Sequence, residues 1–151
     1  MTPKIKIRPA YSEDCAQMML LIKELAIYEK APDAVTVSLE EFIDAGFGNQ
    51  AIWKAFVAEQ DDTIIGLSLF YPRYSTWKGK KLYLEDIVVK ESFRGKKIGH
   101  QLFQATLDYA KENGYHSLFW QVLDWNETAI NFYKKFGASF DKEWLNGTID
   151  F

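Results

Sequence analysis

Residues 82–89 read Leu-Tyr-Leu-Glu-Asp-Ile-Val-Val, and residues 94–99 read Arg-Gly-Lys-Lys-Ile-Gly. The first stretch is an apolar strand interrupted by two acids. The second is a basic, glycine-bearing turn that opens a helix with Ile98, Leu102, Ala105 and Tyr109 on one face. A strand that runs through a short loop into a helix gathers free backbone N–H groups at the positive end of a helix dipole. Such a nest holds a pyrophosphate. Gly95 and Gly99 let the backbone approach a ligand closely, and Lys96 and Lys97 add positive charge. An ordinary β-α turn with a solvated basic start fits the same residues.

The rest of the chain builds outward from this unit. Lys4 to Arg8 alternates Ile with cations, the period of a strand, and Pro9 ends it. Ser12 is expected to cap a helix that runs to about Lys30, with Glu13 and Asp14 in its first turn. A second helix is expected over Ser38 to Ala45, closed by Gly46. Strands follow at Ala51–Glu59 and Thr63–Tyr71, joined at Asp61-Asp62. Tyr74 to Lys80 reads as a loop, and Lys81 to Val89 as the acid-bearing strand. Asn113-Gly114 stops the next helix, Ser117 to Leu123 is a buried strand, and Asn126 caps a short helix stopped by Gly137. Trp144 to Phe151 reads as a last strand or hairpin. The order β-α-α-β-β-β-α-β-α-β describes an α/β domain with an antiparallel meander first and a β-α-β unit second.

Composition bounds the function. The 151 residues are 48% hydrophobic and 26% charged, which suits one globular domain over 1–151 and excludes a low-complexity array. The net charge of −3 disfavours non-specific nucleic-acid binding and suits a cationic ligand. One cysteine, Cys15, allows no internal disulfide, and His100 and His116 with it make no zinc pattern, so no metal is expected. No apolar run approaches the ~20 residues of a membrane span, so no membrane partner is expected and the cytoplasm is the default location. Gly46-Phe47-Gly48-Asn49-Gln50-Ala51 has the letters of a dinucleotide loop. It follows a helix and precedes a strand, the reverse of what that site needs. No G-x-S-x-G elbow or P-loop is present.

Arg94-Gly95-Lys96-Lys97-Ile98-Gly99 resembles the acetyl-CoA signature Q/R-x-x-G-x-G/A of the GNAT N-acetyltransferase superfamily. Arg8-Pro9-Ala10, Leu21 to Ala26, Tyr28-Glu29, Gly46-Phe47-Gly48, Val57-Ala58-Glu59, Trp77 to Lys80, Leu82 to Asp86, and Asp124 through Lys134 resemble the spermidine/spermine acetyltransferase branch. Val122-Leu123-Asp124-Trp125-Asn126 is most similar to its thialysine acetyltransferase subgroup. The resemblance implies the GNAT fold: a mixed, mostly antiparallel sheet, splayed between two parallel strands and flanked by helices. It implies that acetyl-CoA enters the splay as co-substrate. The pantetheine would pair with Ile87, Val88 and Val89, and the pyrophosphate would sit over Arg94, Gly95, Lys96, Lys97, Ile98, Gly99 and His100. Asn126, Glu127, Thr128 and Ala129 would meet the cofactor from the other side. Where the family usually has Gly, this chain has Lys97; a side chain there crowds the phosphates if the backbone has positive φ, and costs nothing if the residue already lies in the helix, which is the expected placement.

Acetyl transfer to an amine needs a neutral amine and a protonated or stabilised leaving thiolate, which an acid–base pair supplies. By periodicity alone Tyr133 is a core aromatic; the resemblance implies that it is the general acid. Glu85 and Asp86 should face opposite sides of a regular strand, and two unpaired acids in an apolar strand are costly. A buried salt bridge, a cavity, or a bulge that turns both one way resolves that cost. The resemblance implies that Glu85 takes the amine proton, with Asp86 as a supporting anion. Tyr28-Glu29 reads as a solvated helix end, and the resemblance makes it an acceptor-binding pair. Trp77 either packs on the sheet or stacks on an ammonium. The expected acceptor is a polyamine, a diamine or a lysine-like amino acid, acetylated directly in a ternary complex by a homodimer. A non-catalytic acetyl-CoA sensor and a protein N-terminal or lysine acetyltransferase are the rival readings.

Overall fold

The computed structural model describes residues 4–151. Residues up to Gln121 form one compact unit, and Val122–Phe151 form a second. The first unit holds β1 (Lys6–Pro9), α1 (Cys15–Tyr28), α2 (Leu39–Phe47), β2 (Lys54–Gln60), β3 (Thr63–Ser75), β4 (Gly79–Val89), α3 (Ile98–Glu112) and β5 (Leu118–Trp120). They make one sheet in the order β1-β2-β3-β4-β5, antiparallel except for the parallel β4–β5 pair. The second unit carries α4 (Glu127–Lys134).

Each face of the sheet has its own core. Met18, Met19 and Leu21 of α1, Phe42 of α2, and Val57, Leu67, Leu69 and Val88 of the sheet form the first. Ile98 and Leu102 of α3 pack against Ala58, Ile65, Ile87 and Val89 on the other face. Phe70, Leu82 and Ala110 extend that second layer. Inside it, the Thr106 hydroxyl donates to the Leu102 carbonyl at 2.8 Å and accepts from Ser68 at 2.8 Å, so both buried hydroxyls are satisfied. At the first face, Arg8 donates to Asp14 at 2.8 Å and to Glu59 at 2.9 Å, fastening β1 and the start of α1 to β2.

Several local expectations are corrected. Ser12 does not cap α1. The Tyr11 N–H donates to the Asp14 carboxylate at 2.7 Å, and one 3₁₀ turn precedes the helix, because Asp14 is drawn back by Arg8. α1 ends at Tyr28, and the chain turns at Lys30 with φ +63°. Gly46 does not stop α2, which continues to Phe47. A Cβ at Gly46 would run into the Trp53 ring, so this glycine serves close packing. Pro9 lies within β1, where the edge position tolerates a missing N–H. Tyr74–Lys80 is no open loop: β3 and β4 pair out to Ser75 and Gly79, and a three-residue turn closes the hairpin. β5 is confined to Leu118–Trp120 and is half-buried, shorter than the expected strand. Among the described residues no strand follows α4, and Trp144 and Leu145 are 76% and 95% exposed.

Candidate active site

The site begins with a bulge. In the β3–β4 ladder Leu69 pairs with Asp86 and Phe70 with Leu84, which leaves Glu85 as the extra residue. Before it, Leu82 and Leu84 are buried on the α3 side. After it, Ile87 and Val89 take that side and Val88 takes the α1 side. The inserted residue therefore turns Glu85 and Asp86 toward one face, the α1 face, which is the third resolution open to two adjacent acids. A regular strand would have buried one acid beneath α3.

At this face α1 ends in Tyr28-Glu29. Burial raises the Glu29 carboxyl above its ordinary value. Asp86 is pushed up to about 7, first by burial, then by the negative charges of Glu85 and Glu29. Glu85 is exposed, and its carboxylate accepts the Tyr71 hydroxyl at 2.7 Å. The Tyr71 ring lies tilted at 5.3 Å from that of Tyr83, whose ring lies 5.3 Å from Phe119. These three rings sit opposite one another in register on β3, β4 and β5, so they share the face of Glu85. Burial and the neighbouring Glu85 raise both tyrosines' hydroxyls above the usual phenol range. They donate and stay protonated.

The β4–β5 pairing stops early. It covers Leu82–Leu118, Tyr83–Phe119 and Leu84–Trp120, whereas β4 runs on to Val89. Beyond Leu84, β4 has β3 on one side and no β5 partner on the other. Within this unit the edge at Ile87–Val89 has no partner strand, the kind of edge to which an extended ligand can add as a strand does. The Arg94 Nε donates to the Val89 carbonyl on this stretch at 3.2 Å, and its guanidinium lies 5.5 Å over the Tyr28 ring.

Arg94 to His100 form the nest. Gly95 has φ +80° and Lys97 φ +62°. The first i→i−4 bond of α3 runs from the Gln101 N–H to the Lys97 carbonyl at 3.1 Å. The N–H groups of Ile98 and Gly99 precede that bond, at the positive end of the helix, where an anion binds. Here the expectation for Lys97 is overturned. It is the left-handed N-cap of α3 and not a residue inside the helix. A side chain in that region costs about 1 kcal/mol relative to glycine. Lys97→Gly is expected to raise the unfolding free energy by roughly 0.5–1 kcal/mol, less than the full strain because glycine gains unfolded-chain entropy. Urea titration checks the shift.

Trp77 stands apart from this cluster within the chain. It is 85% exposed at the tip of the β3–β4 hairpin, roughly 20 Å along β4 from Glu85 at about 3.3 Å per residue. In the second unit, the Asn126 side chain accepts from the Ala129 N–H at 3.1 Å and caps α4, as expected. Glu127, Thr128 and Ala129 form its first turn. Tyr133 lies near the end of α4 with its ring edge-on to Phe132 at 5.3 Å. Sequence reading missed Tyr71, Tyr83 and Phe119. Their juxtaposition depends on cross-strand register, and no local signal in the sequence carries it.

An open strand edge that leads into an anion nest, beside carboxylates on one face, is the arrangement an acetyl-CoA enzyme uses. The chain belongs to the acetyltransferase (GNAT) family, whose model matches residues 20–138, and it is an N-acetyltransferase. It is 40% identical over 142 residues to a thialysine N-epsilon-acetyltransferase of Bos taurus, covering 89% of this chain and 84% of that one. It is 31% identical over 140 residues to the spermidine/spermine N(1)-acetyltransferase-like protein 1 of Homo sapiens, covering 88% of this chain and 20% of the relative. Among solved structures, an aminoglycoside N-acetyltransferase in complex with CoA superposes with a TM-score of 0.79 at 17% identity, covering 99% of this chain and 97% of that one. That likeness concerns the fold.

Proposed function

We propose that this chain, as a single domain over 1–151, transfers an acetyl group from acetyl-CoA directly to the primary amine of a small cationic acceptor. The observation that carries the reading is the bulge that turns Glu85 and Asp86 to the face of Glu29, beside the open edge of β4. Three carboxylates on one face attract an ammonium group and hold it where its proton can leave. The β4 edge at Ile87–Val89 and the nest from Arg94 to His100 suit a pantetheine and a pyrophosphate, with Asn126 and the first turn of α4 as further cofactor contacts. Bound acetyl-CoA supplies the thioester.

Glu85 accepts the proton that the amine must shed, and Tyr71 holds that carboxylate in place. Asp86 and Glu29 keep the ammonium nearby, with Tyr28 beside them and Trp77 as a further acceptor contact. Tyr133 donates the proton that the departing thiolate takes. The new C–N bond replaces the C–S bond, and the products are the N-acetyl amine and the CoA thiol. The relatives' names support a lysine-like amino acid or a polyamine as acceptor. A cytoplasmic homodimer is part of the reading.

Thiol release is measured with thialysine, lysine, spermidine, putrescine and a short peptide. One small amine is expected to turn over, and Tyr133→Phe to lower kcat by about 10²-fold or more, in the range general acids contribute. Turnover of the peptide alone would replace the small-amine acceptor with a protein. Binding of acetyl-CoA with no turnover of any acceptor would leave a sensor.

A further inference from the structure

The acceptor face has a second end. Along the α1 face, Tyr71, Tyr83 and Phe119 form a row of rings across β3, β4 and β5. Glu85 stands at one end, bonded to the Tyr71 hydroxyl. At the other end the Arg73 guanidinium lies 4.8 Å over the Phe119 ring, and the Lys81 ammonium lies 5.5 Å from the same ring. Arg73 and Lys81 are directly paired residues of β3 and β4. Arg73 takes no part in the Arg8–Asp14 and Arg8–Glu59 salt bridges. Tyr83 lies between the two ends: burial first raises its hydroxyl, Glu85 and Asp86 raise it further, and Arg73 lowers it.

The geometry points to a zwitterionic acceptor: a lysine-like amino acid whose side-chain amine lies at Glu85 and Asp86 and whose α-carboxylate pairs with Arg73. This rests on the amine-acceptor reading above and deepens it. Spacing supports it. Two successive ring-to-ring steps of 5.3 Å, Tyr71 to Tyr83 and Tyr83 to Phe119, separate the Glu85 end from the Arg73 end. The side-chain nitrogen and carboxylate carbon of lysine are joined by six bonds of about 1.5 Å, a zigzag of roughly 7 Å. A contact of about 3 Å at each end then reaches both charged groups. The methylene or thioether stem would lie on the rings, which offer an apolar surface. Charge supports it too. A diamine or polyamine would bring a second ammonium toward Arg73 and Lys81, where like charges repel. Arginine suits the carboxylate end because its planar fork matches that group.

The test compares lysine and thialysine with cadaverine, which is lysine without its carboxylate. It uses the wild-type protein, Arg73→Met and Arg73→Lys. In the wild type, kcat/KM for the amino acids is expected to exceed that for cadaverine by at least about 10-fold, the scale of one charge-assisted contact. Arg73→Met is expected to reduce that ratio to near one, chiefly through the amino acid's KM, and Arg73→Lys to restore part of it. A merely structural role for Arg73 would lower all acceptors together. No preference in the wild type, or a preference unchanged in Arg73→Met, would overturn the inference. Should no acceptor turn over, the acetyl-transfer reading fails. Calorimetry of thialysine on the CoA-bound protein then decides the carboxylate site alone. Weaker binding to Arg73→Met sustains it, and equal or undetectable binding in both proteins overturns it.

Discussion

Glu85→Gln is expected to lower kcat by about 10²- to 10³-fold while the KM for acetyl-CoA moves by no more than about twofold. The glutamine amide keeps the shape and still accepts the Tyr71 hydroxyl, so the bulge and its hydrogen bond survive. What it removes is a group able to accept a proton. An alkyl amine near neutral pH is mostly ammonium, and the protonated form does not attack a thioester. The loss should shrink as pH rises toward the amine's own pKa, because free amine then supplies itself. Steady-state kinetics from pH 6.5 to 9.5 check this. A kcat deficit that stays constant with pH would mean that Glu85 only shapes the pocket.

Asp86→Asn is expected to move activity and stability in opposite directions. Burial and the charges of Glu85 and Glu29 push the Asp86 carboxyl up to about 7, against 3.8 for the ordinary group. Between those two values the folded protein binds a proton that the unfolded chain has released. Stability therefore falls as pH rises through this window, and the cost is complete above about pH 7. Removing the charge should raise the unfolding free energy at pH 8 by about 2 kcal/mol, allowing for partial solvation, and change it little at pH 4. Thermal melts at the two pH values measure this. In the wild type, kcat/KM for the acceptor should rise through pH 7 as the Asp86 anion forms. The Asn variant should lose that limb along with at least about 10-fold of kcat/KM. Equal stabilisation at both pH values would show that the carboxylate does not carry the cost.

Much of this was legible before the fold was known, and the failures have physical causes. Helices and strands announced themselves through apolar period, and Asn126, Asn113-Gly114 and Asp61-Asp62 mark their boundaries as caps and turns do. Two acids inside an apolar strand had to be satisfied somehow, so the site was visible at Glu85-Asp86. Which of three resolutions the chain adopts depends on how β3 pairs with β4, and pairing is not local. The same non-locality hid Tyr71 and Arg73. Tyr74–Lys80 read as a loop because its residues are polar and aromatic, yet exposed strand ends need no buried face. Lys97 misled for a different reason. A residue one step outside a helix and one just inside differ in φ and not in residue type, and only the left-handed cap discloses the difference.

The insertion at Glu85 also acts as a parity switch. On its hairpin side, the odd-numbered residues Lys81, Tyr83 and Glu85 lie on the α1 face, where we propose that the acceptor binds. On its other side, the odd-numbered residues Ile87 and Val89 belong to the floor under α3. A straightened strand that kept both acids would exchange the two surfaces beyond this point, sending Val88 to α3 and Ile87 and Val89 toward α1. A single deletion at the bulge would erase one carboxylate and leave those three residues on their faces, because Leu84 and Asp86 then alternate as in a regular strand. The bulge is thus the place where β4 can change length without exchanging its faces.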